Sequence, residues 1–393
     1  MKLKFYFLLS LLFPLHCFSQ QFQLSPQAEI SVLTIEQSTN LNDAFGHSAF
    51  RIKDTSRNLD VVYDYGRYDF EAPNFILKFT LGKLNYLIGK RNYGDFVQVY
   101  QFYDRTINEQ QLNLNQKQKQ KLYNYLVNNY KPENRAYLYD FFYDNCATKI
   151  RDVVNVATSQ NTTYTSLPEI NEASFRDLIH QNVGHNTWGS FGIDIALGSL
   201  VDKTATKEEQ LFLPEYVFKH FGNASIANTP LVKNTSTIYT SKNNKGYNTA
   251  FLISPIFIMS IIGFLIIYIT YKDYKNNKRS NWLDIILCII TGLSGFILLF
   301  LWFGTNHTAT SYNYNLLWAF PLNIFIVKQL LGKKIKNWIL GYMKFLIIML
   351  CLMCLHWIIG VQVFAYAFLP ILLALLVRYI YLIKYLKLQI EVS

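Results

Sequence analysis

Of the five cysteines in this 393-residue chain, Cys146 is the one whose surroundings suit a reacting thiol. It stands in Asp144-Asn145-Cys146-Ala147-Thr148-Lys149-Ile150-Arg151, and Ala147, Ile150, Val154 and Ala157 recur on one helical face. That spacing predicts a helix opening at Cys146, with Asp144 or Asn145 as its cap. The positive end of the helix dipole favours a thiolate over a thiol, which suits nucleophilic attack. A thiolate used for acyl transfer also needs a group that hands a proton to the leaving atom, and imidazole does this near neutral pH. The segment that carries Cys146 offers His47, His180, His185 and His220. His180 and His185 read as lying in or after a polar helix over 174–182, and His220 as following a turn over 214–219, so all three are expected at the surface or in loops. His47 opens a strand in Phe45-Gly46-His47-Ser48-Ala49-Phe50-Arg51, where Gly46 permits close approach and the alternation fixes the sheet face of the ring. No metal or cofactor is expected. There is no His-Glu-x-x-His, the step from His180 to His185 would point the two rings apart on a helix, and no phosphate-cradling glycine loop occurs.

The elements that must position these groups can be read around them. Residues 49–53 and 61–65, joined by the polar turn 54–58, read as a β-hairpin, and 96–103 reads as a further strand. Residues 114–130 place Leu122, Tyr125, Leu126 and Tyr130 on one helical face before Lys131-Pro132 stops the helix. Residues 137–143 read as a strand or as the lead-in to the helix of Cys146.

Composition divides the chain in two. Lys2 and Lys4, an apolar core and Cys17-Phe18-Ser19 read as a signal peptide over 1–19, with the mature chain beginning near Gln20. A lipobox ending in Cys17 competes with that reading, but His16 stands where the motif wants a small residue. Residues 20–248 hold 23 basic and 23 acidic residues, whereas 249–393 hold 12 basic and 3 acidic, so the formal +11 belongs mainly to the second half and argues against nucleic acid as a partner. Cys288, Cys351 and Cys354 lie in apolar runs, which leaves Cys146 as the lone exported cysteine: an inert buried residue or a functional thiol.

Five apolar stretches, 250–270, 283–303, 314–331, 342–359 and 361–382, are each long enough to span a bilayer or nearly so. Lys272, Lys275, Lys278 and Arg279, then Lys333, Lys334 and Lys336, then Lys384 and Lys387 mark the cytoplasmic ends, and 304–312 has no Lys or Arg, as expected of a periplasmic loop. The expected layout is a periplasmic catalytic domain over 20–248 and a five-helix membrane domain over 249–393, in a bacterial inner membrane with a cytoplasmic C-terminus. Trp282, Trp302, Trp318, Trp338 and Trp357 lie mostly near span ends, as interfacial anchors do. His307, Asn313, Asn315, His356 and Gln362 either mark an intramembrane site or make interhelical hydrogen bonds.

A histidine opening a strand, then Asn-Cys opening a helix about a hundred residues later, resembles the circularly permuted papain-like superfamily that includes lecithin:retinol acyltransferase. More closely, Phe45 to Arg51, Tyr63-Asp64-Tyr65-Gly66, Asp144 to Thr148, Trp188 with Phe191-Gly192-Ile193-Asp194 and Leu197-Gly198, and Phe212-Leu213-Pro214-Glu215 resemble the Lnb-type lipoprotein N-acyltransferases of Bacteroidetes. The resemblance implies an α+β periplasmic domain of that permuted papain-like fold, followed by an all-α bundle of five membrane helices. It implies a ping-pong reaction: Cys146 takes an acyl chain from a phospholipid as a thioester, and the α-amino group of a diacylglyceryl-cysteine lipoprotein then accepts it. His47 would move the protons. Asp64, or Asp60 if the register differs, would orient the imidazole, and the backbone N–H of Cys146 with the Asn145 side chain would hold the oxyanion. Where the family has His-Pro at the periplasmic mouth, this chain has His307-Thr308, so no role carries over to that loop. Arg176 and Asp202 also resemble family positions, or serve as structural ion-pair partners. The competing readings are a membrane-anchored cysteine peptidase or amidase of the cell envelope, and a non-catalytic membrane scaffold that handles lipoproteins.

Overall fold

The structure, a computed structural model, describes residues 22–170, 172–243, 250–332 and 336–392. The signal segment 1–19, the proposed boundary at residue 248 and Lys333 and Lys334 lie outside the described residues.

The N-terminal half is built on an antiparallel seven-stranded sheet: β1 (Glu29–Ile35), β2 (His47–Asp54), β3 (Leu59–Tyr68), β4 (Asn85–Asn92), β5 (Ile107–Leu112), β6 (Ala136–Leu138) and β10 (Val232–Tyr239), in the order β10-β5-β1-β2-β3-β4-β6. The short strands β7 (Thr162–Thr163), β8 (Ser225–Ile226) and β9 (Thr229–Pro230) form a separate small sheet. The expected hairpin is β2–β3. Its polar turn ends at Asn58, in the left-handed region, and its register sets Ala49 opposite Asp64 and Ile52 opposite Val61.

Because side chains alternate along a strand, the sheet buries two faces. Ile30, Val32, Phe50, Ile52 and Tyr63 point to one face, where the chain's helices α3 (Gln116–Asn129) and α4 (Cys146–Ala157) pack with Leu122, Leu126, Ile150 and Val154. Leu33, Ile35, Ala49 and Val62 line the other face and meet Phe96. Residues 96–103, expected as a strand, form instead the end of helix α2 (Tyr93–Phe102) and its C-cap Tyr103; α2 follows the short α1 (Phe75–Thr80). The aromatic residues mimic strand propensity, but Tyr93, Phe96 and Tyr100 form one helical stripe that covers the second face of the sheet. Three further helices, α5 (Phe175–Val183), α6 (Trp188–Ala196) and α7 (Pro214–Asn223), complete this half. The 214–219 turn is thus the start of a helix with proline at its first position. His220, expected at the surface, is fully buried between Gln210 Oε1 at 2.9 Å and the Thr165 carbonyl at 3.2 Å.

The C-terminal half is helical: α8 (Pro255–Lys275), α9 (Asn281–Phe303), α10 (Asn323–Leu331), α11 (Trp338–Ile358) and α12 (Leu369–Val392). Among the described residues, α8, α9, α11 and α12 are long and apolar enough to cross a membrane. The stretch 314–331, expected as a span of continuous helix, is a 3-10 turn (Tyr314–Leu317) and then the nine-residue α10. Pro321 explains the break, because it lacks the N–H a helix needs. Nine residues rise only about 14 Å, half a bilayer core. Polar groups inside the bundle are paired with each other. Arg378, fully buried, reaches Asp273 Oδ2 at 2.7 Å and Asp284 Oδ1 at 2.6 Å, and Asn323 bridges Thr291 and Tyr342.

Candidate active site at a thiol–imidazole pair

Cys146 is the first residue of α4, and the cap is Asn145 rather than Asp144. The Asn145 Oδ1 accepts the N–H groups of Ala147 (2.8 Å) and Thr148 (2.9 Å), and Thr148 Oγ1 accepts the Asn145 N–H at 2.7 Å. Asp144 pairs with Lys149. The Asn145 Nδ2 donates to the Phe141 and Phe212 carbonyls at 2.6 and 2.8 Å. This corrects the expected oxyanion role for that side chain: both amide hydrogens are committed to backbone carbonyls, and Asn145 builds the loop instead. The Cys146 N–H, at the first helical position, has no intrahelical acceptor by geometry and stays available for that role.

Two glycines bring the sheet to the thiol. Gly46, at φ +75°, precedes His47, and a Cβ there would lie 2.6 Å from the Ile35 carbonyl, so only glycine fits. Gly66, at φ +90°, sits where the β3–β4 pairing shifts between Asp64 and Arg67, and its Cα faces Cys146. The His47 imidazole and the Ser48 N–H both face the Cys146 sulfur. The far side of the imidazole faces Asp64 Oδ2, 3.5 Å from Nε2. Asp60, the alternative, is held by Arg51 at 2.7 Å instead. Asp64 is itself gripped by Arg67, whose Nε lies 2.9 Å from Oδ1 and whose guanidinium crosses Gly89, where a Cβ would collide with it at 2.0 Å.

Charge distribution in this cluster favours the ionised pair. Burial alone would deprotonate His47, but Tyr100, the Cys146 sulfur and Asp64 outweigh it, and the imidazole pKa is raised well above its ordinary value. Burial would likewise keep the Cys146 thiol protonated, yet the facing His47 and the Ser48 N–H lower its pKa. Against its own burial, Asp64 is held down at about 2 by His47 and Arg67. Both shifts favour passing the thiol proton to the imidazole, which has a carboxylate behind it.

The pair opens on a cavity of about 820 Å³ whose walls come from both halves of the chain. Tyr68, Phe79, Tyr86, Tyr100 and Tyr139 line it from the N-terminal half, and Asn306 to Ala309 line it from the loop after α9. That loop is fastened to the site. Thr308 Oγ1 donates to Asp140 Oδ2 at 2.8 Å, while Asp140 Oδ1 accepts the Phe142 and Tyr143 N–H groups and so shapes the turn that leads to Cys146. The departure from His-Pro therefore leaves the loop in contact with the site, and the signal for this could not be seen in either half alone.

The other polar residues singled out from the sequence lie elsewhere. Arg176, 1% exposed, donates to Asp194 Oδ1 (2.8 Å), Asp202 Oδ1 (2.7 Å) and the Gly198 carbonyl (3.1 Å). His180, expected at the surface, is buried with Nε2 2.9 Å from Asp194 Oδ1. Its ring lies 4.9 Å from that of His185, because Gly184 ends α5 at φ +71° and turns the chain back. Asn313 donates to the Ile195 and Ala196 carbonyls and Asn315 to the Asp194 carbonyl, whereas Gln362 accepts the Tyr314 N–H and donates to the Leu197 carbonyl at 3.4 Å. These three amides therefore join the halves rather than mark a pathway through the bundle. His356 bonds the Leu352 carbonyl of its own helix, and His307 lies 3.2 Å from the Thr80 carbonyl at the cavity edge.

In comparisons with known proteins, residues 18–181 match the family described as the Lnb N-terminal periplasmic domain, and residues 247–389 match the Lnb transmembrane domain. No curated protein and no solved structure matches the chain.

Proposed function

Since both domains occur in their family order, the chain belongs to the Lnb family and is a membrane protein with a periplasmic N-terminal domain, and from that premise we propose that it is a lipoprotein N-acyltransferase. The observation that carries the reading is a facing thiol–imidazole pair at the floor of an aromatic cavity, one wall of which belongs to the membrane half. Such a cavity suits a substrate with an acyl chain, and membership in this family points to lipoprotein processing.

The reaction is read in two halves. The Cys146 thiolate attacks the ester carbonyl of a phospholipid, and the oxyanion is met by the Cys146 N–H. As the C–O bond breaks, the His47 imidazolium gives its proton to the departing lysophospholipid oxygen, leaving a thioester on Cys146. The α-amino group of a diacylated lipoprotein then attacks that carbonyl. His47 takes the amine proton, the C–S bond breaks, and the thiolate is restored with an amide as product. Asp64 keeps the imidazole in place and stabilises its charged form. The aromatic walls keep water from the thioester, which would otherwise hydrolyse.

A permuted papain-like arrangement is consistent with α4 packing its thiol end against an antiparallel sheet. The same reading assigns five crossings in an inner membrane with a cytoplasmic C-terminus. Asn313 and Gln362 both lie against the N-terminal domain, and α11 separates Gln362 from the connection after α10. On this reading the chain returns across the bilayer between Asn313 and Trp338, a placement supported by the contacts of Asn313 and Gln362 with the N-terminal domain. Purified full-length protein in phospholipid vesicles, given a diacylated lipoprotein, tests the function. A hydroxylamine-sensitive acyl adduct on Cys146 and a triacylated product, both lost in Cys146→Ser and His47→Ala, are expected. An adduct that releases only free fatty acid points to a hydrolase, and the absence of any adduct leaves the scaffold.

A further inference from the structure

Around the mouth of the cavity the N-terminal half exposes an unusual amount of apolar side chain. On one side, α1 and the residues before it present Phe70 (75% exposed), Ile76 (78%) and Leu77 (58%) outward; on the other, the end of α2 presents Phe102 (83%) and Tyr103. A soluble surface rarely gathers such a patch. Its position identifies what covers it. The Asn306 N–H donates to the Leu81 carbonyl at 2.8 Å, and a Cβ on Gly82, at φ +65°, would lie 3.1 Å from the His307 nitrogen. Asn306 is three residues past Phe303, the last residue of α9, so the chain just after α1 is tied to a point only three residues from the end of a membrane helix. Lys78 and Lys83 flank the patch, where a long alkyl stem can lie along apolar surface with its charge among headgroups.

Aromatic rings connect this patch to the thiol. Tyr68 contacts Phe70, Phe75 and Phe79 on the outside and Tyr86 inside, at centroid distances between 4.8 and 6.2 Å, and Tyr86 stacks on Tyr139 at 4.2 Å. Tyr68, Tyr86 and Tyr139 line the cavity that holds Cys146, so the apolar surface is continuous from the lip to the sulfur. We propose that α1, together with the end of α2, dips into the periplasmic leaflet of the bilayer and forms a lateral port through which an acyl chain passes from the membrane to Cys146 without crossing water. The inference of a port rests on the acyl-transfer reading; the insertion of the lip does not.

Full-length protein is reconstituted in phosphatidylethanolamine–phosphatidylglycerol vesicles containing a phospholipid with a diazirine on its acyl chain. After illumination, adducts are mapped by mass spectrometry. Adducts on 70–80 and on 102–103, besides those on the membrane helices, are expected, and adducts confined to α8–α12 overturn the insertion. In parallel, the double variant Ile76→Ser/Leu77→Ser is compared with wild type. Neither residue lines the cavity, so Cys146 alkylation by iodoacetamide should keep its wild-type rate, while acylation of Cys146 from the vesicle donor falls by about tenfold or more. Unchanged acylation, or a parallel loss of alkylation, overturns the port. A wild-type protein that forms no acyl adduct sinks the acyl-transfer reading and the port with it, while the cross-linking still decides the lip.

Discussion

Two clusters in this protein use the same three side-chain types. In one, His47 faces Asp64, which Arg67 grips; in the other, His180 faces Asp194, which Arg176 grips. The first opens on a cavity and adds a thiol, and its charges push the thiol and imidazole pKa values toward each other. The second is sealed, adds a second carboxylate and backbone carbonyls, and sits where Asn313, Asn315 and Gly198 join the halves. On the proposed reading, a histidine–carboxylate–arginine set becomes a reaction centre only where a nucleophile and an access route meet it. Without them it is a fastening.

That contrast can be broken at either cluster. Cys146→Ala should lower acyl transfer by about a thousandfold or more while leaving thermal unfolding nearly unchanged, as N-acylation assays and melting curves would show. Persisting transfer would make the first cluster no more a centre than the second. Arg176→Met leaves two buried carboxylates without their cation and should cost about 3–5 kcal/mol, visible as a large fall in melting temperature in detergent. An unchanged melting temperature there would mean that the seam is held by its amides alone.

Smaller effects sharpen the comparison. Asp64→Asn removes the carboxylate behind the imidazolium, so the His47 pKa falls and the basic limb of the pH–rate profile moves to lower pH, with a loss of roughly tenfold at neutral pH. In wild type, the Asp64 pKa of about 2 lies below its unfolded value. Its contribution, roughly 2 kcal/mol, is therefore present above about pH 4 and lost as pH falls toward 2; acid unfolding of wild type against Asp64→Asn measures it. Thr308→Val removes one hydrogen bond to Asp140 and should cost about 1 kcal/mol, with a severalfold drop in transfer. A silent Thr308→Val would detach the membrane loop from the chemistry.

How much of this could be read from the sequence depended on the range of the interaction. The Cys146 helix was legible because its cap and its apolar stripe lie within a few residues, and His47 because Gly46 and the strand alternation flank it. The choice of Asp64 over Asp60 needed the register, which only the folded sheet supplies. Asn145 was legible as a neighbour of the thiol but not as a donor to Phe212, 67 residues away. His180 and His220 looked exposed because their burying partners, Asp194 and Gln210, come from other elements. For α2, strand-like aromatic residues hid a stripe that only the sheet beneath it explains.

The seam also sets the order in which the protein is completed during synthesis. Thr308 and Asn306, which close one wall of the cavity, emerge about 160 residues after Cys146, and Gln362 later still. At ordinary elongation rates that is on the order of ten seconds or more. Throughout that time the exported domain carries its thiol without the wall that membrane insertion supplies. Assembly itself thus acts as the switch: the cavity is whole only once the membrane half has emerged and folded against the exported domain.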